Sequence, residues 1–358
     1  MKKIGLILIG MLAVTGFFLA GCGKENAEEA QGTSSKDSST TEAVVETAVE
    51  KFYFTANEGG SISKINAENN QVIETINAEG VVHNIQLSPD GKIVAATLVP
   101  VAEGGHGDHG SHGEETGKVL FYDAYTNELL KTVEVGNHPA HVVYSGDGKL
   151  VLVTNNEDNT VSVIDAATYD VIKTIGTGKG PHGFRVSADN KFAYIANMGE
   201  ESISVIDLET FEENRINAGK TPVTTGITKD GKTLAVTLFA ENALAIIDTE
   251  TKEVVKIEVG RGPAQVYIGP DDKFAYVANQ GTKESPSNTI SIVDLEAKAV
   301  VDEIETGSGA HGVVVSADGK FAYVTNMFDN TVSIIDLESK EVKTIKVGEI
   351  PNGITIME

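Results

Sequence analysis

The chain has 358 residues, with 28 basic and 52 acidic side chains and a formal net charge of -24. A surface with such an excess of acid disfavours a phosphate backbone as a partner, so we expect no nucleic acid binding. The single cysteine, Cys22, excludes internal disulfides and a thiolate metal site in the rest of the chain.

The N-terminus has the pattern of a secretion signal. Lys2 and Lys3 precede an apolar run that reaches residue 20 and ends in Leu19-Ala-Gly-Cys22. The run is short and ends in small residues, which favours a cleaved signal over a permanent transmembrane helix. Leu-Ala-Gly-Cys matches the bacterial lipobox. We therefore expect residues 1–21 to be a lipoprotein signal peptide and Cys22 to be lipidated, which would anchor an extracytoplasmic protein to the cell membrane.

A polar segment follows the predicted lipidation site. Residues 22–50 are rich in Glu, Ser, Thr and Ala and contain almost no large apolar side chain. Such a composition cannot bury enough surface to fold alone. The segment is predicted to be a disordered acidic tether.

From residue 51 to residue 358 the chain repeats one phrase of four strand-like segments. An aspartate at the end of the third segment marks the repeat, usually every 41 or 42 residues, at Asp123, Asp165, Asp207, Asp248, Asp294 and Asp336. Each segment is rich in β-branched and aromatic residues, and turn sequences such as Gly146-Asp-Gly join the first segment to the second. Repeats of this length and content are typical of ring-shaped β folds.

The two ends of the repeat region complement each other. The region opens on a second segment at Phe52 and finishes on a first segment that begins at Pro351. Only ring closure completes both, because it pairs strand edges that would otherwise stay open. We therefore predict an all-β fold, a seven-bladed β-propeller with four-stranded blades, closed by the C-terminal strand pairing with the N-terminal blade.

The histidines are predicted to lie on one face of this ring. Four of them occur where an outermost strand leads into the next innermost strand, at His83, His141, His182 and His311. These side chains can surround the mouth of the central channel and bind a metal ion. The alternative is that they are turn residues whose imidazoles hydrogen-bond to backbone carbonyls.

An insertion in the second blade carries three more histidines. Asn66 and Asp123 are 57 residues apart, about fifteen more than in a usual unit, and the excess includes His106, His109 and His112 in a glycine-rich segment. Imidazoles and carboxylates in such a strip are suitable ligands for zinc, copper or nickel. The alternative is a solvated loop in which the histidines are incidental.

The repeat sequences carry a family resemblance. Phe192-Ala-Tyr-Ile-Ala-Asn, Phe274-Ala-Tyr-Val-Ala-Asn and Phe321-Ala-Tyr-Val-Thr-Asn resemble the YVTN family of β-propeller repeats over about 300 residues. In that family the segment like residues 181–187 is the innermost strand. A propeller with a histidine-rich strip is also similar to the zinc chaperones that serve ABC importers outside the cytoplasm.

Three functions are compatible with the sequence. The leading hypothesis is a membrane-anchored metallochaperone that binds a divalent metal, zinc first, on His83, His106, His109, His112, His141, His182 and His311 and passes it to an ABC importer or another envelope protein. The second is a cell-surface scaffold for protein interactions. The third is a lyase-type enzyme with a histidine base, which is disfavoured because the sequence shows no local catalytic signature.

Overall fold

The computed structural model describes residues 51–101 and 116–357 of the chain. These residues form seven antiparallel sheets of four strands each. Within this part of the chain, no helix has the length and apolar character needed to cross a membrane. The predicted signal peptide, Cys22, the tether and the histidines of the blade 2 insertion lie outside the described residues.

Each sheet has the same strand order, from an innermost strand to an exposed outer one. The innermost strands are β4 (Val81–Leu87), β8 (Pro139–Tyr144), β12 (Pro181–Val186), β16 (Pro222–Ile227), β20 (Pro263–Ile268), β24 (Ala310–Val315) and β28 (Pro351–Ile356). The second strands are β1 (Phe52–Asn57), β5 (Ile93–Val99), β9 (Leu150–Asn155), β13 (Phe192–Asn197), β17 (Thr233–Leu238), β21 (Phe274–Gly281) and β25 (Phe321–Asn326). A short 3-10 helix, Phe239–Glu241, follows β17.

The outer half of each blade is equally regular. The third strands are β2 (Ser61–Asn66), β6 (Lys118–Asp123), β10 (Thr160–Asp165), β14 (Ser202–Asp207), β18 (Ala243–Asp248), β22 (Pro286–Asp294) and β26 (Thr331–Asp336). The outermost strands are β3 (Gln71–Asn77), β7 (Leu129–Glu134), β11 (Val171–Gly176), β15 (Glu213–Asn217), β19 (Val254–Glu258), β23 (Ala299–Glu305) and β27 (Val342–Lys346).

Innermost strands of neighbouring blades contact each other all the way round the ring. The ring closes as predicted: β28 pairs with β1, with Tyr53 opposite Ile356 and Thr55 opposite Ile354. Blade 1 is therefore built from both ends of the repeat region. We call the face where chains enter the innermost strands the upper face, and the face with the hairpins between first and second strands the lower face.

The hydrophobic core consists of layers between blades. One layer joins Ile203 of blade 4 to Leu234 and Val236 of blade 5, and all three side chains are fully buried. The layer between blades 7 and 1 includes Tyr53, whose ring is 4.9 Å from that of Tyr323. Because every blade packs on two others, burial of apolar surface stabilises the closed ring as a whole.

The aspartate that marks each repeat has a structural role in the turn after the third strand. The Asp207 carboxylate accepts hydrogen bonds of 2.9 Å from the backbone amides of Glu209 and Thr210. The same pair of bonds forms at Asp165 and Asp336. This turn geometry directs the chain from the third strand into the outermost strand.

Candidate metal centre

Four innermost strands carry a histidine within a register shift near the upper face, and three of these histidines form a cluster. The register of β4, β8 and β12 against their partner strands shifts between Val82 and Ile85, between Pro139 and Val142, and between Pro181 and Phe184. His83, His141 and His182 lie inside these shifts. A bulge redirects side chains locally, which explains how His141, one step later in its strand than the other two, reaches the same point.

The three imidazoles form one cluster. Their ligand nitrogens all lie within 4.8 Å of one another. The ring centroids are 5.2 Å apart for His83 and His182, 5.9 Å for His83 and His141, and 4.8 Å for His141 and His182. His141 is 1% exposed and His182 8% exposed. The cluster is therefore a largely buried set of potential nitrogen ligands.

The closest contact in the cluster joins two ring nitrogens. His83 Nε2 is 3.2 Å from His182 Nε2. His182 Nδ1 donates a hydrogen bond of 3.2 Å to the Val223 carbonyl, which can only accept, so its Nε2 carries a lone pair in the neutral ring. His83 Nδ1 donates to Glu58 Oε1 at 2.8 Å. Two lone pairs facing each other repel, so this contact is favourable only with a proton or a metal ion between the nitrogens.

Glu58 and Asn352 orient the His83 ring from blade 1. Asn352 Nδ2 donates a hydrogen bond of 2.7 Å to the same Glu58 oxygen that accepts from His83. Burial by itself would raise the pKa of Glu58, but the hydrogen bonds from His83 and Asn352 bring that pKa down to about 2. The carboxylate is therefore ionised. A carboxylate that accepts from the outer nitrogen of a ligand histidine is a common support of metal sites.

Two buried imidazoles have no partner for either ring nitrogen among the described residues, those of His141 and His311. Burial lowers the pKa of His141 well below its usual value, and the charge of Arg185 and of any neighbouring histidine that takes up a proton lowers it further. Burial and the charge of His83 lower the pKa values of His182 and His311 to about 3. Near neutral pH these three rings are uncharged, which is the form that coordinates a metal.

Thr154 on β9 fixes the backbones of two cluster residues at once. Its hydroxyl accepts a hydrogen bond of 2.9 Å from the His141 amide and donates one of 2.8 Å to the His182 carbonyl. Gly183 contributes by its size: a Cβ there would lie 2.8 Å from the Val223 carbonyl oxygen. Because glycine permits this approach, blade 4 lies close enough to blade 5 for His182 to bond to Val223.

The structure divides the predicted site residues into three groups. It brings His83, His141 and His182 together, and it buries His311 near enough to interact electrostatically with them, although His311 is not part of the three-residue group. His106, His109 and His112 lie outside the described residues. The hydrogen bond from His182 to Val223 also has the form expected for a turn histidine, but it leaves Nε2 directed into the cluster.

Sequence reasoning did not identify Glu58. This residue follows the second strand of blade 1, at the step occupied by Asn156, Met198, Gln280 and Met327 in other blades. The sequence signal that could have identified Glu58 is its carboxylate, at a position where those blades have an uncharged residue. Its connection to His83 is visible only once blade 1 is placed beside blade 2.

Seven four-stranded blades around a histidine-lined channel mouth define the class of protein, a β-propeller with a candidate metal centre on its upper face. A family model described as YNCE-like beta-propeller matches residues 115–273 and 268–358, more than half of the chain. The chain belongs to that family. The resemblance to propeller repeats is thus confirmed at the level of the fold.

Solved structures support the same fold. Hydrazine synthase of Kuenenia stuttgartiensis matches with a TM-score of 0.67 and 23% identity, over 76% of this chain and 89% of that chain. A putative 6-phosphogluconolactonase from Bacteroides fragilis matches with a TM-score of 0.67 and 15% identity, over 87% of this chain and 99% of that chain. No curated protein sequence matches the chain significantly. At these identities the likeness shows the fold alone.

Proposed function

We propose that the protein is an extracytoplasmic, membrane-anchored propeller that binds a divalent transition metal at His83, His141 and His182. Zinc is the first candidate, and copper and nickel are the alternatives. The lipid anchor would be attached at Cys22. In this proposal the protein is a metallochaperone that holds the ion and passes it to an envelope partner such as a metal importer.

The observation that carries the proposal is the contact between His83 Nε2 and His182 Nε2. Two zinc–nitrogen bonds of about 2.0–2.1 Å at a tetrahedral angle would separate the nitrogens by about 3.3 Å. The separation in the structure is 3.2 Å. The outer nitrogens are already bonded to Glu58 and Val223, so both rings present their free nitrogens to the same point.

The donor set narrows the class of metal. Neutral imidazoles suit zinc, copper and nickel, whereas magnesium and calcium prefer oxygen ligands. Three protein nitrogens leave a coordination position for water, for His311 or for a ligand from outside. An open position is what a protein that transfers its metal requires, because the acceptor can bind the ion before the donor releases it.

In the proposal, the histidine-rich strip of blade 2 captures the metal ion first. His106, His109 and His112 belong to the same blade as His83. In this proposal they bind metal weakly from solution and pass it to the buried cluster. Protonated imidazole cannot coordinate a metal, so binding to the strip is expected to weaken as the pH falls.

The direct test is metal binding by calorimetry with metal analysis, on the purified protein and on single alanine variants of His83, His141 and His182. We expect each substitution to weaken zinc binding at least about a hundredfold, as removal of a ligand does. A triple alanine variant of His106, His109 and His112 should keep the tight site and lose only weak binding. The matched control is His138→Ala, because His138 lies in an upper-face loop and faces Glu157 at 3.6 Å.

A second readout is the competition between protons and metal for the facing nitrogens of His83 and His182. Zinc affinity should fall as the pH is lowered, because protonated imidazole cannot coordinate, and titrations at neutral and mildly acidic pH measure this. Wild-type binding no tighter than that of the triple His83, His141 and His182 variant would refute the proposal.

A surface scaffold is the second candidate function. Four outermost strands expose neighbouring pairs of aliphatic residues, such as Ile73 beside Val72 and Leu130 beside Leu129. Exposed apolar groups of this kind favour contacts with other proteins. Removing the metal with a chelator distinguishes the scaffold from the metallochaperone. A scaffold would bind its partner equally well in metal-free solution.

A further inference from the structure

The central channel contains a second chemical environment nearer the lower face. A cavity of about 510 Å³ lies among the innermost strands and the Ser88–Gly91 hairpin. Its volume is in the range of small-molecule sites. Residues from six blades line its interior, among them Asn84, Val142, Arg185, Gln265, Val314 and Ile354.

Arg185 places a positive charge in this cavity, and no carboxylate forms an ion pair with it. Asp90 and Lys51 also line the cavity, but Asp90 forms an ion pair with Lys92 at 3.3 Å. The chain has three arginines, and Arg215 forms ion pairs with Glu200 and Glu213 on the surface. Arg185 donates a hydrogen bond of 2.9 Å to the Phe184 carbonyl, and the Tyr267 phenol of the same cavity interacts with its charge. No Asp or Glu in the described part of the chain forms an ion pair with it. A guanidinium group stays charged in proteins, so an unbalanced one in a channel is costly unless an anion joins it.

Gln265 adds an unused donor to the same cavity. It is 4% exposed, and its side-chain nitrogen has no hydrogen-bond partner among the described residues. Together Arg185 and Gln265 offer several N–H groups and a net positive charge. Such a set complements the oxygens of an anion.

The rest of the wall indicates what kind of anion fits. Val142, Val314 and Ile354 make part of the lining apolar, which suits a hydrocarbon body and leaves a strongly hydrated inorganic ion poorly solvated. One guanidinium balances one negative charge, and its planar fork matches the two oxygens of a carboxylate.

We propose that this cavity binds a small organic carboxylate, whose oxygens accept hydrogen bonds from the Arg185 guanidinium and the Gln265 amide. The apolar part of the ligand contacts the valine and isoleucine side chains of the wall. None of the cluster histidines lines this cavity, although the charge of Arg185 acts on His141, and the proposed binding does not depend on a metal ion.

The test uses metal-free protein, so that a carboxylate cannot bind through a metal ion. Butyrate is the probe, butylammonium has the same chain length with the opposite charge, and inorganic phosphate is the alternative anion. Saturation-transfer NMR and the shift in melting temperature measure binding. We expect butyrate to bind and stabilise the protein, butylammonium to do neither, and phosphate to bind more weakly than butyrate.

Arg185→Met removes the charge and keeps a similar length, and Arg215→Met is the matched surface control. We expect Arg185→Met to weaken butyrate binding at least about tenfold, and Arg215→Met to leave it unchanged. Gln265→Glu gives a second test that does not require loss of the arginine. It supplies an internal carboxylate, so it should raise the melting temperature of the ligand-free protein and abolish butyrate binding.

Three results would overturn the proposal. One is the absence of butyrate binding to the wild-type protein. Another is equal binding to the wild-type protein and the Arg185→Met variant. The third is a preference for phosphate over butyrate, which would assign the cavity to inorganic anions.

Discussion

At the scale of single residues, each imidazole of the cluster is defined by what its outer nitrogen contacts. His83 has a carboxylate, His182 has a backbone carbonyl, and His141 has neither. The partners of His83 and His182 fix which nitrogen carries the proton and hold the ring plane in place. His141 lacks such a partner, so its orientation depends on the packing around it.

Replacing Glu58 by Gln tests the support of His83. Gln keeps an oxygen that can accept from Nδ1 but loses the negative charge, so the imidazole becomes a weaker ligand. We expect zinc affinity to fall about 10- to 100-fold, with little change in melting temperature. Competition with a chromophoric chelator measures this. Glu157→Gln, beside His138, is the control, and an equal loss of affinity in both variants would contradict the assignment.

The pH dependence of stability tests the burial of His311. The folded protein keeps this ring neutral down to a pKa of about 3, whereas the unfolded chain takes up a proton near pH 6.5. The stability associated with the neutral ring is therefore present above pH 6.5 and is lost as the pH falls towards 3. His83 and Glu58 are the charged or titratable groups that influence it.

We expect His311→Gln to remove this component. Between pH 6.5 and 3 the free energy of unfolding of metal-free wild type should fall by a few kcal/mol more than that of the variant, on the order set by linkage. Urea unfolding at several pH values gives the comparison. Parallel curves for the two proteins would show that His311 titrates normally in the folded state.

At the scale of secondary-structure elements, the blade seam formed by β9 positions the site. Thr154 links the backbone of β8 to that of β12, and Thr237 makes the equivalent bonds between β16 and β20, to the Thr224 amide and the Ala264 carbonyl. The two threonines are the same structural device. Only the first lies between two histidines of the cluster.

This duplication provides a matched pair of variants. Thr154→Val leaves the His141 amide and the His182 carbonyl without this partner. Thr237→Val leaves the Thr224 amide without its partner, while the Ala264 carbonyl still accepts from the Thr224 hydroxyl at 2.9 Å. A buried polar group left unpaired costs about 1–3 kcal/mol. We expect similar losses of stability in chemical unfolding. Zinc affinity should fall in Thr154→Val and stay unchanged in Thr237→Val. If both variants bind zinc like the wild type, the backbone link does not position the ligands.

The sequence predicted the elements well because local patterns determine them. Strand β1 begins at Phe52, where the second segment was predicted to open, and β13 spans Phe192–Asn197, the segment that carries the family resemblance. In blade 5 the apolar pattern of the second strand extends through Phe239, which instead begins a 3-10 helix. An aromatic residue at a strand end fits either conformation, so the local pattern did not decide between them.

The site was less predictable than the strands. The repeat alignment placed His83 and His182 at equivalent positions of their blades. The orientation of the His141 side chain depends on a bulge that no local sequence pattern indicated. Glu58 belongs to blade 1 and acts on blade 2. Contacts between blades depend on how the ring is assembled. No sequence pattern therefore links Glu58 to His83, which belong to different blades.

At the scale of the whole molecule, closure of the ring depends on β28. Without this strand, blade 1 would lose its innermost strand and the edge of β1 would be exposed. Tyr53, Phe54 and Ile65, which are fully buried or nearly so, would lose part of their packing.

We expect deletion of residues 351–358 to abolish the cooperative thermal transition of the propeller and to increase binding of a dye that reports exposed apolar surface. As a control, Asn352→Ala keeps the strand and removes only the side-chain contacts of Asn352 with Glu58 and His83. It should unfold cooperatively and bind zinc more weakly. A truncated protein that melts like the wild type would show that closure contributes little to stability.

The closing strand also links the ring to the histidine cluster. Asn352 lies on β28 and bonds to Glu58, which bonds to His83. Detachment of a single strand, β28, would open the closed ring. It would also break the hydrogen bond from Asn352 to Glu58, the carboxylate that orients the His83 imidazole. The hydrogen-exchange rate of the β28 amides should therefore report how often the support of His83 is lost. The same opening that exposes those amides to solvent also separates Asn352 from Glu58.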